Sequence, residues 1–435
     1  MGTPEAEVYD VVGVGFGPSN LSLAIALEEH RENVPESAVT SAFFERQPSF
    51  GWHCNMLLPS ATMQVCFLKD LATFRNPTSR FTFVSYLHES GRLSRFVNYL
   101  DFFPTRQEFH QYLEWAEAKV RGQVSYSSRV TAVRVPDGAG SRPAEHLEVE
   151  VTGPGGSRTV RARNVAISTG LVPRVPAGIE LDERIWHSSE FLARYHAMAP
   201  DDLKSVAVIG AGQSAAEVTR FLHDNVPHAQ VHAVVPSYGY SVADATPFAN
   251  QVFDPAAVDD YYLGSDETRE TFWRYHRNTN YSVVDADLIR DLYRRVYDED
   301  LSRNRRLHFL NLTRMSRVER TGSVVRLTLQ SLLDGAPHEL GVDVVVLATG
   351  YDAMTPEALL ADVDRFCLRD GEGRLRVERD YRLVTTPDVP GGIYLQGGTE
   401  HTHGVSSSLL SNIAVRSGEI AESILAGSRV ASPVG

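Results

Sequence analysis

Two glycine-rich turns, each between a short apolar run and a helix-forming stretch, constrain this chain most. The first is VYDVVGVGFGPSNLSLAIAL (8–27) and the second KSVAVIGAGQSAAEV (204–218). In each, a β-branched apolar run suits a buried parallel strand. Glycine then follows where backbone must pass close to a phosphate at a helix N-terminus. Gly13, Gly15 and Gly17 carry the first turn, and Pro18 stands where a strict GxGxxG has its last glycine. Proline is tolerable there because the first helical N–H is an orphan anyway. Ser19 and Asn20 are expected to offer polar groups near the phosphate. Glu45, closing a second predicted strand (41–45), stands where an acid accepts hydrogen bonds from a ribose. The second turn has Gly210, Gly212 and, in third place, Ala215, a pattern typical of nicotinamide-phosphate sites. Glu217 reads as an ordinary helix residue. Two such units suggest two dinucleotides, with electrons passing between them.

A chain of 435 residues is too long for one ordinary core. The formal charge of -13 argues against a nucleic-acid partner and against anionic membranes. No apolar run reaches the roughly 18–20 residues of a membrane helix. The acidic start leads straight into the first strand, so no signal peptide is expected. The three cysteines (Cys54, Cys66, Cys367) form no CxxC and supply no dithiol redox centre. A cytoplasmic protein is expected.

A clear amphipathic helix is predicted over 108–120, with Phe109, Tyr112, Leu113, Ala116 and Val120 on one side. Strands are predicted at 231–235 and 342–347; the latter ends in Ala348-Thr349-Gly350, of which Ser168-Thr169-Gly170 is a looser copy. Such strand-end triplets recur where chain passes between the domains of two-dinucleotide flavoproteins. Segments 51–105 and 237–284 lack simple periodicity and read as irregular, and loops of that length are usually functional. Solvent turns are expected at 138–142 and 153–158, and the tail 429–435 is expected to fray. Within 51–77, Trp52, His53, Met63, Gln64 and Lys69 stand among apolar residues. Such a lysine either snorkels or reads an anion. His401 and His403 are spaced as HxH without a third ligand, so no metal site is expected.

Several long stretches, in order, resemble one family: GVGFGPSNLSLAIAL, GWHCNMLLPSATMQVCFLKDLATFRNPTSRFTFVSYL, FFPTRQEFHQYLEWA, VIGAGQSAAEV, TPFANQVFDP, NTNYSVVDADLI, LATGY and HTHGVSSSLLSNIAVRSGEI. They resemble the flavin-dependent N-hydroxylating monooxygenases of siderophore biosynthesis, nearly from end to end. FLKDLATFRNPTS is similar to the L-ornithine branch. The resemblance implies an α/β, two-dinucleotide-binding-domain flavoprotein: a Rossmann-like FAD domain (1–200 and 343–428) with an inserted NADPH domain (201–342). It implies that FAD, NADPH and dioxygen hydroxylate the side-chain amine of L-ornithine by way of a hydroperoxyflavin. The catalytic chemistry is then the flavin's, with no protein acid or base.

On the same resemblance Lys69 reads the substrate carboxylate. Asn250 and Asn280 hold the amino-acid head group, Ser411 or Ser407 assists, and Asn280 also positions NADP. Trp52, His53, Met63, Gln64 and Arg106 line the flavin, with Gln64 and Arg106 also reaching the nicotinamide. Gln213, Ser214, Asn280 and Tyr281 face NADPH. Relatives are commonly tetramers. Pro236 replaces an arginine that grips the 2′-phosphate in many relatives, leaving Ser237, Tyr238 or Arg274 as substitutes. The alternatives are an L-lysine N-hydroxylase and a Baeyer–Villiger or flavin-containing monooxygenase, the latter through the histidine segment IWHSSEF. Absence of a CxxC disfavours a disulfide reductase.

Overall fold

The computed structural model describes residues 8–136 and 145–431. The expectations for the extreme N-terminus and for the turn at 138–142 therefore lie outside the described residues. Two parallel sheets organise the chain. In the first, strand Val8–Val14 lies between Ser41–Phe44 and Gly156–Ile167, parallel to both. Gly156–Ile167 does double duty: its first half closes an antiparallel hairpin with Leu147–Gly153. Its second half also pairs in parallel with Gly392–Leu395. That late strand brings the C-terminal part of the chain home, so the first domain is built from both ends.

The second sheet runs Leu307–Leu310, Gln230–Val234, Ser205–Ile209, Val344–Leu347, Ile185–His187. Helices Gln213–Asn225 and Ala286–Ser302 cover one face through Val218, Leu222, Leu288 and Leu292. An antiparallel meander (Thr313–Thr321, Val324–Ser331, Pro337–Val342) covers the other through Val325, Leu327 and Leu329. Ile185–His187 and Val344–Leu347, which lie on either side of the expected 201–342 insert, pair with each other in this second sheet. The chain crosses between domains just after the two strand-end triplets. There Val172–Pro173 and Tyr351–Asp352 pair antiparallel, and Arg174 is ion-paired to Asp352 at 2.6 Å.

The predicted helix at 108–120 starts two residues earlier, at Arg106, because Thr105 accepts the backbone N–H of Glu108 (3.1 Å) as an N-cap. Segment 237–284 is not irregular throughout. It contains helices Pro255–Leu263 and Asp266–His276. The second has an N-cap in Ser265 but no buried residue, so it shows no apolar stripe to read. The tail expected to fray from 429 begins inside the last helix, Ile413–Ala431.

Candidate active site

Each glycine turn ends at a helix whose N-cap is a glycine with no side-chain hydrogen bond: Gly17 for Pro18–Asn33 and Gly212 for Gln213–Asn225. First-turn N–H groups left without a capping side chain suit an anion. The first turn is tightly held. A Cβ on Gly13 would meet the Phe43 ring at 2.1 Å. Gly15 (φ +80°) passes the Ser168 carbonyl so closely that a Cβ would sit 2.4 Å from it. Asn20, expected near the phosphate, instead braces the turn. Fully buried, its Nδ2 donates to the Gly15 carbonyl (2.7 Å), and its Oδ1 accepts from Gln396 (2.7 Å). Glu45 lies where a ribose acid belongs, but its oxygens already accept the N–H groups of Phe16 (2.7 Å) and Gln47 (2.8 Å). A carboxylate has about four acceptor sites, so two are left for hydroxyls. Ser19 Oγ accepts from the buried Arg416 (3.1 Å). Around this turn the residues fit a dinucleotide.

The 51–77 segment lines the junction. Trp52 packs edge-on to His53 (4.7 Å), and His53 approaches Tyr351 at the crossing point (6.2 Å). His53 keeps an exposed edge, but the protein packed around its ring, with the Arg106 charge second, lowers its pKa to about 4. His187, from the IWHSSEF segment, is fully buried and bonded to the Gly350 carbonyl (3.1 Å), which makes it a brace at the crossing. Met63 is buried in the core beneath Phe16 and Leu71.

Lys69 sits on a frame that sequence reasoning missed. Its neighbour Asp70 is 1% exposed and accepts the N–H groups of Ala72 (2.9 Å), Thr73 (2.6 Å) and Phe83 (2.6 Å), fixing the loop. Lys69 Nζ lies 5.8 Å from the Phe253 ring centroid, with no carboxylate in ion-pair range among the described residues. Burial lowers its pKa while Asp254 raises it. Phe253 closes the turn that follows Pro247–Asn250, which carries Asn250. That turn packs against Val405–Ser408. Lys69, the 250–254 region and the Ser407 loop are thereby gathered together. Asn250 Nδ2 donates to Ala245 O (3.0 Å). Ser407 Oγ is engaged with Thr399 (2.6 Å), whereas Ser411 Oγ is buried without a partner.

The second turn is pinned at its first glycine, where a Cβ on Gly210 (φ +149°) would sit 2.2 Å from the Ala348 carbonyl oxygen, and is open at its last. Gly212 meets nothing nearer than Ser282 Cα at 3.8 Å, which puts the segment bearing Asn280 and Tyr281 beside it. Tyr281 has its pKa pushed up to about 12, chiefly by burial. Ser214 is in the first helical turn. Gln213, expected to face phosphate, is held within its own domain. Its Nε2 donates to Asp285 (2.8 Å) and Glu217 (3.0 Å), and its Oε1 accepts from the Asp285 backbone (2.9 Å). Glu217 is not an ordinary helix residue. It is 2% exposed and takes a bidentate ion pair from Arg106 (2.8 and 2.9 Å). Gln64 Nε2 reaches Asp285 (3.2 Å) from the same side as Arg106. Among the residues expected near a 2′-phosphate, Ser237 Oγ donates to Gly239 O (2.6 Å). Tyr238 is 83% exposed, and Arg274 lies over Tyr275. His401 and His403 are bonded to the carbonyls of Leu375 and Arg379. No group of three metal-ligating side chains occurs among the described residues.

A model of the L-lysine 6-monooxygenase/L-ornithine 5-monooxygenase family matches residues 7–353. The chain belongs to this family. It is an oxidoreductase, a monooxygenase with the two-domain architecture described above. The L-ornithine N(5)-monooxygenase of Pseudomonas aeruginosa is 37% identical over 432 residues, covering 97% of this chain and 95% of that protein. The solved ornithine N-hydroxylase of Kutzneria sp. 744, recorded with reduced FAD, NADP+ and L-ornithine, is 60% identical with TM-score 0.93. It covers 98% of this chain and 100% of that one. The L-lysine 6-monooxygenase of Pseudomonas syringae is 31% identical with TM-score 0.84, covering 98% and 100%.

Proposed function

We propose that this monooxygenase hydroxylates the side-chain amine of L-ornithine, using FAD, NADPH and dioxygen. The observation that carries the substrate is Lys69: a half-buried cation without an ion-pair partner, on a loop pinned by Asp70 and facing the Asn250 region. A cation held this way suits the carboxylate of a free amino acid. When bound, the flavin and the nicotinamide supply hydride and oxygen transfer; the chain binds, orients and excludes water.

Gly13, Gly15, Gly17, Pro18, Ser19 and Glu45 are assigned to the FAD phosphates and ribose, and Trp52, His53, Met63, Gln64 and Arg106 to its ring side. Gly210, Gly212, Gln213, Ser214, Asn280 and Tyr281 are assigned to NADPH. Lys69, Asn250, Asn280 and Ser411 are assigned to ornithine. Ser407 is better read as a support for the loop, since its hydroxyl is already paired with Thr399. Ornithine's reacting amine must be neutral to attack, yet a free alkylamine has a pKa near ~10.4. Desolvation lowers that value. One methylene separates ornithine from lysine, and an apolar slot distinguishes them by only about 1–3 kcal/mol. Anchoring the carboxylate at Lys69 fixes the distance from head group to reacting nitrogen, which makes the pocket a ruler. The 60% identity to an ornithine hydroxylase, against 31% to a lysine enzyme, supports the same choice.

For assembly and location the reading is a cytoplasmic homotetramer. Exposed Tyr99, Leu100 and Phe102 support contact between copies, and three free cysteines support a reducing compartment. Light scattering tests the first. NADPH oxidation with ornithine, lysine and a ketone panel, with hydroxylamine assayed in parallel, tests the activity. Ornithine-dependent hydroxylamine is the expected outcome, and turnover with ketones alone contradicts it.

A further inference from the structure

The polar network at the second glycine turn joins side chains from both domains, and its charges are unequal. The nucleotide-side domain contributes two carboxylates, Glu217 and Asp285, together with Gln213, next to the helix end that takes an anion. Burial, with Glu217 also contributing, raises the Asp285 pKa. Negative charge at this place opposes a bound phosphate. The cation that offsets it comes from the other domain. Arg106 forks onto Glu217 and also donates to the Met56 carbonyl (2.8 Å), while its backbone N–H is bonded to Ala61 O (2.9 Å). Gln64, again from the first domain, ties Asp285 to the same frame (3.2 Å). Separating the domains would leave Glu217 without its cation and the helix end flanked by two acids.

We propose that Glu217 is a positioning residue for the nicotinamide dinucleotide: by holding Arg106 it couples docking of the two domains to nucleotide affinity. The assignment rests on the proposed use of NADPH. Coupling of this kind is reciprocal, so nucleotide binding also favours the docked arrangement. Glu217 does not touch the reacting atoms; it sets where Arg106 and Gln213 stand and how much negative charge the nucleotide meets.

The test is titration calorimetry of NADP+ and of ornithine into the oxidised holoenzyme, for wild type and Glu217→Gln, with small-angle scattering on both. Glu217→Gln removes the charge and keeps one hydrogen bond. The expected result is NADP+ affinity weaker by about fivefold or more, unchanged ornithine affinity, and a broader scattering envelope that narrows when NADP+ is added. NADP+ binding as tight as wild type, or tighter, would mean that Glu217 only repels phosphate, and would overturn the proposal. Equal loss of both affinities would mean a merely structural role and would overturn it too. If Glu217→Gln fails to fold, Glu217→Asp, which keeps the charge and draws the carboxylate away from Arg106, is subject to the same outcomes. A wild type that binds no NADP+ defeats the proposed function itself. A wild type that binds it while the variant is unaffected defeats this inference alone.

Discussion

The two glycine turns began as near copies in sequence and differ in how they are held. The first is locked from within its own domain: Phe43 fills the space beside Gly13, Asn20 and Gln396 clamp the loop, and Glu45 takes a backbone N–H of the turn. The second is pinned by backbone at Gly210, beside the Ala348 carbonyl, and open at Gly212 as the first is at Gly17, but its polar side chains are completed by Arg106 and Gln64 from across the junction. A site finished inside one domain suits a group that stays bound. A site finished only by the partner domain suits one that arrives and leaves each cycle.

The largest expected effect attacks the locked turn. Gly15→Ala must place a methyl against the Ser168 carbonyl at positive φ, so the purified protein should lack flavin colour altogether. A yellow Gly15→Ala protein would erase the contrast. Next is Lys69→Ala, expected to raise the ornithine KM roughly 10- to 100-fold, as for loss of a charge-assisted hydrogen bond. Bound FAD, read from the absorbance spectrum, should not change. Asn280→Ala should raise peroxide released per NADPH by about fivefold, the worth of one lost hydrogen bond. Fully coupled turnover would remove Asn280 from the junction. Gly212→Ala should be mild, because Gly212, like Gly17 in the first turn, is the open helix-capping glycine. With nothing nearer than 3.8 Å it should alter stability by no more than about 0.5 kcal/mol, while the NADPH KM rises because the methyl faces the nucleotide.

The smallest effect concerns pH. His403 is 1% exposed, and burial lowers it to about 3 from an ordinary 6.5. The unfolded chain therefore binds more protons than the folded one between those values, and stability falls as pH drops through that window. Thermal melts from pH 7 to 4 should show this decline, and His403→Gln should make it shallower, the remainder coming from His53 and His232, each lowered to about 4.

The glycine spacing, the strand ends and the amphipathic face of Arg106–Val120 were legible because each follows from local geometry or period. What stayed hidden depends on distant partners. Glu217 looks like any helix glutamate until Arg106, far away in sequence, is folded onto it. Asn20 sits where a phosphate contact is expected, and only the return of Gln396 shows its bracing role. Helix Asp266–His276 buries nothing, so it leaves no hydrophobic trace, and strand Ile185–His187 is too short to announce its sheet. Lys69 could be noticed from sequence, but not that Asp70 pins its loop.

The central claim is that a diamino acid is held by its carboxylate at Lys69 so that its far nitrogen receives one oxygen atom. Mass spectrometry of the products from ornithine and from lysine, with peroxide measured alongside, tests it most directly. The account predicts ornithine gaining a single oxygen on its side-chain nitrogen with little peroxide, and lysine leaving NADPH oxidation largely uncoupled. Lysine oxygenated as well as ornithine, or neither compound gaining oxygen, would contradict it.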